Sequence, residues 1–315
     1  MSIQLADIKA AAGRISAIAH RTPVVTCRSF DAAAGCRVWF QCENFQRGGA
    51  FKIRGASNFI LSLNEDQRRQ GVVAYSSGNH AQAVAIAAEW VKIKATLVMP
   101  ADAPRSKIEA TRAHDAEIVT YDRLTQSREE IGRRIATETG AVLVPPYDHP
   151  LTIAGQGTAA LEFLESVPDL DALAICVGGG GLIAGCATAA KALRPDIRIL
   201  GVEPELANDT YLSLRAGRRV EVPNPPTIAD GLRSPSPGAI TFPIIQRHVE
   251  DILLVTEQEI KDTVKFLLSR LKILAEPSGA VAAAAVLHGK LPRDVRRVGV
   301  ILSGGNVDFQ VLAGL

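Results

Sequence analysis

Ala172-Leu173-Ala174-Ile175-Cys176-Val177-Gly178-Gly179-Gly180-Gly181-Leu182-Ile183-Ala184 is the stretch from which the fold can be read. A short apolar run reads as a buried strand, four glycines as a loop, and the alanine-rich Leu182 to Leu193 as a helix. The same succession recurs. Val72-Val73-Ala74-Tyr75 passes through Ser76-Ser77-Gly78-Asn79-His80 into a helix from Ala81 to Trp90. Ala95 to Met99 passes through a Pro-rich turn into a helix from Lys107 to His114, and Val298 to Leu302 ends in Ser303-Gly304-Gly305-Asn306. Strands alternating with helices imply an α/β fold with mostly parallel sheets, covered by helices on both faces. Ligands of such sheets bind beyond the carboxyl ends of the strands. The loops 76–80, 178–181 and 303–306 all follow strands, so they are predicted to converge on one pocket.

The whole chain narrows the classes of function. Its 315 residues allow two domains, and 47% hydrophobic against 22% charged residues is ordinary for a globular protein. Lys plus Arg at 35 against Asp plus Glu at 33 leaves a charge of +2, with no basic block long enough to follow a phosphodiester backbone, so nucleic acid is not an expected partner. No stretch approaches the roughly 20 apolar residues of a membrane helix, and the N-terminus has no basic segment followed by an apolar one. A cytoplasmic protein with no membrane partner is expected. Cys27, Cys36, Cys42, Cys176 and Cys186 form an odd set without a Cys-x-x-Cys pair, which predicts reduced, structural thiols. The stretch Val222 to Pro226 reads as a surface connection.

Two features carry chemistry. Gly178 to Gly181 follow a strand and open a helix, so free N–H groups and the helix dipole would face an anion. A tight turn would need one or two glycines, not four. Lys52, in Phe51-Lys52-Ile53-Arg54-Gly55 after the flexible Gly48-Gly49-Ala50, presents an amine able to condense with an aldehyde. An aldehyde held by a lysine and a phosphate held by glycines together suggest pyridoxal 5'-phosphate.

Phe51-Lys52-Ile53-Arg54-Gly55-Ala56, Ser76-Ser77-Gly78-Asn79-His80, Gly178 to Gly181, Ala275-Glu276-Pro277-Ser278-Gly279-Ala280 and Leu302-Ser303-Gly304-Gly305-Asn306 resemble, in order and spacing, the motifs of the fold type II pyridoxal-phosphate enzymes, the tryptophan synthase β-like group. The resemblance runs from His20 to Asp308 and is strongest to the serine/threonine dehydratase and serine racemase branch. It implies that Lys52 holds the cofactor and exchanges the α-proton, with Phe51 beside it. Gly178, Gly179, Gly180 and Gly181 would bind the phosphate, Asn79 the phenolic oxygen, and Ser303 the pyridine nitrogen. A neutral hydroxyl there does not force protonation of that nitrogen, which favours β-elimination over transamination. By the same resemblance Ser76, Ser77, Asn79 and His80 receive the substrate carboxylate, Arg128 closes on the substrate, and Ser77 is a second catalytic group opposite Lys52.

Glu203-x-x-x-Ala207-x-Asp209 matches a divalent-cation site of the branch, two carboxylates and a carbonyl suiting Mg²⁺ or Ca²⁺, although two acids at this spacing are usually just solvated. The implied organisation is two interleaved domains, residues 1–69 with 147–315 and residues 70–146, the smaller closing over substrate in a homodimer. With Leu315 close behind Asn306, the effector domain of biosynthetic threonine dehydratases is not expected. The implied activity is an ammonia-lyase that converts L-threonine or L-serine to a 2-keto acid. The alternatives are a 3-hydroxyaspartate dehydratase, with Arg47, Arg128 or Arg233 as partner of the extra carboxylate, and a serine racemase, for which Ser77, Arg128 and Ser234 argue. A binding protein on the same fold would have no need of the reactive amine.

Overall fold

Ten strands form two sheets, and their order explains why loops distant in sequence meet. The computed structural model describes residues 3–76, 78–103, 105–122, 124–223 and 225–315, with only the backbone of Arg105, Ser106, Lys107 and Ala110. The strands are β1 (Val24–Thr26), β2 (Arg37–Cys42), β3 (Val72–Tyr75), β4 (Ala95–Pro100), β5 (Glu117–Tyr121), β6 (Val142–Leu143), β7 (Ala172–Cys176), β8 (Arg198–Pro204), β9 (Asp251–Val255) and β10 (Arg297–Leu302). The helices are α1 (Leu5–Ile15), α2 (Arg28–Ala34), α3 (Lys52–Leu61), α4 (Glu65–Gln70), α5 (Asn79–Trp90), α6 (Arg105–Arg112), α7 (Arg128–Thr139), α8 (Pro150–Ser166), α9 (Gly181–Leu193), α10 (Asp209–Ala216), α11 (Thr241–His248), α12 (Glu257–Phe266), α13 (Pro277–Leu287) and α14 (Phe309–Ala313).

The larger sheet has the order β1-β2-β10-β7-β8-β9 and the smaller β5-β4-β3-β6. Every pairing is parallel except that of β1 with β2. The expected α/β class with mostly parallel sheets is therefore observed. Because β2, β10 and β7 are neighbours, the segments leaving their carboxyl ends emerge side by side. Those segments lead to Lys52, to Ser303 and to Gly178.

Central strands of such a sheet are covered on both faces, and β7 is buried at all five positions. The helices beside it lack a polar face for the same reason: α13 is buried from Pro277 to Val286 and α9 from Gly181 to Ala190. The boundaries differ slightly from the sequence reading. The helix after β3 starts at Asn79, two residues before Ala81, because Asn79 and His80 already continue the helical turn. The helix after β4 runs Arg105–Arg112, ending before His114. In the stretch 222–226, Asn224 lies outside the described residues, while the Val222 amide donates to the Pro235 carbonyl at 2.8 Å.

Helices α3, α8 and α9 cross where neither side can carry a side chain. A Cβ on Gly185 would lie 2.2 Å from the Ile153 carbonyl oxygen, and one on Gly155 would lie 2.5 Å from that of Arg54. Gly185→Ala therefore has to separate α8 from α9. Overpacking of this kind costs about 1–3 kcal/mol, more than the ~1 kcal/mol gained in helix propensity. Urea denaturation should show a lower midpoint, and an unchanged midpoint would show that the crossing can relax.

Arg54, two residues after Lys52, is wholly buried and ties the same helices together. It pairs with Glu43 through Nε at 2.7 Å and Nη2 at 2.8 Å, and with Glu162 of α8 through Nη1 at 2.9 Å and Nη2 at 2.8 Å. Thr158 accepts a further bond at 3.0 Å. Burial would raise the Glu43 carboxyl, but the guanidinium beside it wins and holds it below the ordinary range.

Candidate active site

The approach to Lys52 is clamped, where the glycines alone suggested a mobile segment. Gly48 and Gly49 take φ values of 73° and 72°, open to glycine at little cost. The chain then runs antiparallel to the outlet of β10. The Gly305 amide donates to the Gly49 carbonyl at 2.9 Å, Ala50 bridges Gly304, and the Phe51 amide donates to the Ser303 carbonyl at 3.0 Å. This zipper sets Lys52, the first residue of α3, beside buried Ser303.

The Lys52 Nζ donates to the Pro146 carbonyl at 2.9 Å. Burial lowers its pKa to about 8, against the smaller opposing pulls of Cys176 and Glu276. Roughly a tenth of an amine with that pKa is neutral at pH 7, against less than a thousandth at the ordinary value near 10.4. Lys52 is thereby a competent nucleophile and proton acceptor.

The glycine loop has the form an anion requires. Gly180, at φ 89°, precedes the first turn of α9, whose early amides have no intrahelical acceptor. The loop is fastened by Thr241, whose Oγ1 donates to the Gly179 carbonyl at 2.8 Å. A Cβ on Gly179 would fall 2.4 Å from the Tyr147 ring, and one on Gly181 2.9 Å from the Tyr147 Cβ. Amine, phosphate-sized loop and strand-end hydroxyl therefore fit pyridoxal phosphate.

A hydrogen-bonded chain joins the two sheets here. Asn79 Nδ2 donates to Glu276 Oε1 at 2.6 Å, and Asn306 Nδ2 donates to Asn79 Oδ1 at 3.0 Å. Glu276 precedes Pro277 at the start of α13, and Gly279 lets that helix approach Gly304: a Cβ would meet its carbonyl oxygen at 2.3 Å. His80 is buried, its Nε2 3.0 Å from the Val144 carbonyl. Burial, helped by the Lys52 charge, lowers its pKa to about 3, so it is neutral and donates that bond. The segment 144–148 is thus gripped by His80, by Lys52 and by the glycine loop. Sequence reading missed Pro146, Tyr147 and the partners of Glu276. Only Glu276, an acid directly before a helix-opening proline, left a local trace.

Ser76 sits at the outlet of β3, its amide donating to Val98 at 3.1 Å and its hydroxyl accepting from Gly78 at 3.3 Å. Ser77 lies outside the described residues. Arg128 opens α7, bonds Glu129 through Nε at 2.9 Å, and lies 5.9 Å from the centroid of Tyr75, the neighbour of Ser76. The other two arginines serve elsewhere: Arg47 bonds the Ile18 carbonyl and covers Trp90, and Arg233 bonds the Thr227 carbonyl twice. All five cysteines are free.

Glu203 and Asp209 are both fully buried and face each other. Glu203 accepts the Thr210 and Tyr211 amides at 3.1 and 2.9 Å, so it caps α10. Neither Asp209 oxygen meets a donor, which raises that carboxyl, through burial, to about 7. Among the described residues no three His, Cys, Asp or Glu side chains are grouped to hold a metal, so a cation here would take two carboxylates, the buried Ala207 backbone and water. No described helix is long and apolar enough to cross a membrane.

The family model described as pyridoxal-phosphate dependent enzyme matches residues 15–304. The chain is 48% identical to an L-threo-3-hydroxyaspartate ammonia-lyase of Pseudomonas sp, over 98% of this chain and 97% of the other. It is 45% identical to a serine racemase of Schizosaccharomyces pombe, over 96% and 94%. Among solved structures it superposes on maize serine racemase with a TM-score of 0.96 and 44% identity, covering 100% of this chain and 97% of that one.

Proposed function

The chain belongs to the pyridoxal-phosphate dependent enzyme family, and we propose that it releases ammonia from L-threo-3-hydroxyaspartate, eliminating one water and taking one up again, and leaves oxaloacetate. The observation that carries this is the 48% identity to a hydroxyaspartate ammonia-lyase over nearly the full length of both chains, joined to the buried Lys52 amine with its lowered pKa.

The cofactor, when bound, supplies an electron sink that acidifies the α-carbon of an amino acid joined to it. The rest falls to the chain. The amides of Gly178 to Gly181, at the positive end of α9, hold the phosphate. Asn79, kept in orientation by Glu276 and Asn306, meets the phenolic oxygen. Ser303 would offer the ring nitrogen a neutral hydroxyl, and Phe51 would stand beside the cofactor. Backbone groups from Ser76 through His80 receive the α-carboxylate, and Arg128 closes on the substrate. Lys52 Nζ accepts the α-proton. The β-hydroxyl then leaves as water with the proton that Lys52 Nζ took from the α-carbon, and the released enamine takes up a water from solvent and gives keto acid and ammonia. Residues 70–146, which hold the smaller sheet, move as a unit over the substrate. The working form is a cytoplasmic homodimer, and the exposed Phe309 and Val311 of α14 supply apolar surface for it.

Serine racemization is the second reading, favoured by the 45% identity to a racemase and by Ser77 as a hydroxyl opposite Lys52. Incubation with L-threo-3-hydroxyaspartate, L-serine, L-threonine and D-serine, followed by assay of ammonia, keto acid and enantiomer, separates the readings. Ammonia from hydroxyaspartate well above that from serine supports the first. D-serine formed faster than ammonia overturns it.

A cation, Mg²⁺ or Ca²⁺, at Glu203, the Ala207 carbonyl and Asp209 completes the proposal, supported by two buried acids that lack sufficient counter-charge. At a hundredfold excess over Kd it adds about 2.7 kcal/mol of stability. Without it, a carboxyl whose folded pKa is raised holds its proton more tightly in the native state, so stability falls as pH rises between the ordinary 3.8 and about 7. Binding requires the ionised form, so the gain in melting temperature on adding Mg²⁺ after chelation should grow from pH 5 to pH 7.5. The same titration on Glu203→Ala should show a much smaller gain. Equal responses of the two proteins would leave the acids a protonated buried pair.

A further inference from the structure

Two helices bring their N-termini to the same loop. α9 starts at Gly181, and α11 starts at Thr241, so close that a Cβ on Gly180 would lie 2.8 Å from the Thr241 hydroxyl. The early amides of a helix lack intrahelical acceptors and stand at the positive end of its dipole, so each N-terminus suits an anion. At α11 the chain supplies that anion itself, from a residue more than 90 positions earlier. Asp148 Oδ2 accepts the Ala239 amide at 2.8 Å, and Oδ1 accepts those of Ile240 and Thr241 at 2.8 and 3.2 Å. Gly238 leaves room for the carboxylate, since a Cβ there would stand 2.2 Å from Oδ1. No side chain caps α9.

The effect of Asp148 reaches the glycine loop through one peptide. Thr241, wholly buried and held by Asp148, donates its hydroxyl to the Gly179 carbonyl at 2.8 Å, and the Gly238 amide donates to the same oxygen at 3.2 Å. The peptide is trans, so this carbonyl and the N–H of Gly180 point in opposite directions. With the Gly179 oxygen drawn toward α11, the Gly180 N–H is turned away from it. Tyr147, the neighbour of Asp148, lays its ring against Gly179 and keeps the peptide from swinging back.

We infer that Asp148 is a positioning residue for the cofactor phosphate. It occupies the N-terminus of α11, which leaves that of α9 as the place for the phosphate, and through Thr241 it fixes the Gly179–Gly180 peptide with its N–H toward that place. The cradle is thereby formed before the cofactor arrives, and binding does not have to order it. The three amides that Asp148 accepts offset its negative charge beside a second anion. The inference rests on the reading of Gly178 to Gly181 as the phosphate loop and adds the residue that shapes it. The plainer account, in which Asp148 only caps α11, weakens every ligand alike when the cap is lost.

Equilibrium dialysis of the full chain freed of cofactor, against pyridoxal phosphate and against 5'-deoxypyridoxal, separates the two accounts. Both ligands carry the ring and the aldehyde that Lys52 receives, and they differ by the phosphate. Several hydrogen bonds to a charged group should give wild type a preference for pyridoxal phosphate of about a hundredfold or more. Loss of one such bond is worth about tenfold, so Asp148→Ala should lower the preference by about that factor and leave the affinity for 5'-deoxypyridoxal nearly unchanged. Thr241→Val should lower it in the same way, and Thr241→Ser, which keeps the hydroxyl, should retain it; this pair decides the case if Asp148→Ala does not fold. Gly180→Ala, whose Cβ would press on Thr241 and Ile245, tests the loop itself. A preference that Gly180→Ala leaves intact places the phosphate elsewhere and removes the reading of the glycine loop together with the inference. A preference lowered by Gly180→Ala but kept by Asp148→Ala or by Thr241→Val overturns the inference alone. Equal losses for both ligands in Asp148→Ala overturn it as well, in favour of plain capping.

Discussion

Lys52→Ala lowers ammonia release by a factor on the order of 10³ or more, since the variant loses both the nucleophile and the proton acceptor, and general-base catalysis alone is worth about 10²–10⁴-fold. The purified variant also loses the visible absorption of covalently held cofactor. The same amine makes cofactor capture depend on pH. Its pKa of about 8 means that the neutral, reactive form grows as pH rises through 8, so the rate at which the apoprotein takes up pyridoxal phosphate should climb between pH 6.5 and 8.5 and then level off. Stopped-flow absorbance measures this. Full turnover by Lys52→Ala with its absorption intact would remove the central assignment, and a capture rate still rising steeply above pH 9 would show that burial does not depress the amine.

Arg54→Met is expected to cost about 3–5 kcal/mol, the usual penalty for removing one partner of a buried ion pair and stranding the other. Against a total stability of about 5–15 kcal/mol this is a large share. The loss should also depend on pH. In wild type the Glu43 carboxyl is held below its ordinary range, so its contribution is present above the unfolded value and lost as pH falls through the folded one. In the variant burial, the largest influence, is opposed only by the neutral donors Thr22 and Gln41. It raises the same carboxyl, and stability then falls as pH rises. The gap between the two proteins therefore widens from pH 5.5 to pH 8 in urea denaturation. A constant gap would mean that Arg54 acts by packing alone. Glu43→Gln added to Arg54→Met should recover part of the loss at pH 8 by removing the stranded charge.

These two residues stand two apart in one short motif, yet they were legible to different degrees. Lys52 is marked by its neighbours, because a reactive lysine on this kind of turn belongs to a recurrent set of motifs. Arg54 belongs to the same quoted run but carries no local mark of its role. Its partners Glu43 and Glu162 lie 11 and 108 residues away, and nothing in the spacing of charges says that Arg54 and Glu43 are buried together. Glu203 shows the same limit from the other side. The spacing to Asp209 drew attention to a cation, whereas the fold adds that Glu203 caps α10 and that Asp209 is the acid without donors.

What the sequence determined by itself is the alternation of strands and helices and the loop of four glycines ahead of α9, and it singled out Lys52 as the candidate amine. Each of these depends on residues within a turn or two of one another, where periodicity and backbone preference act directly. The tertiary structure alone decided that the Lys52 amine rests on the Pro146 carbonyl, 94 residues on, and that Asn79 is held by Glu276 and Asn306, 197 and 227 residues on. It also decided that the Arg128 guanidinium lies over the Tyr75 ring. These pairings come from the strand order, which brings β2, β10 and β7 together and sets β3 opposite them. A strand order is settled by the burial of whole sheets and helices against each other, and no short window of sequence contains it.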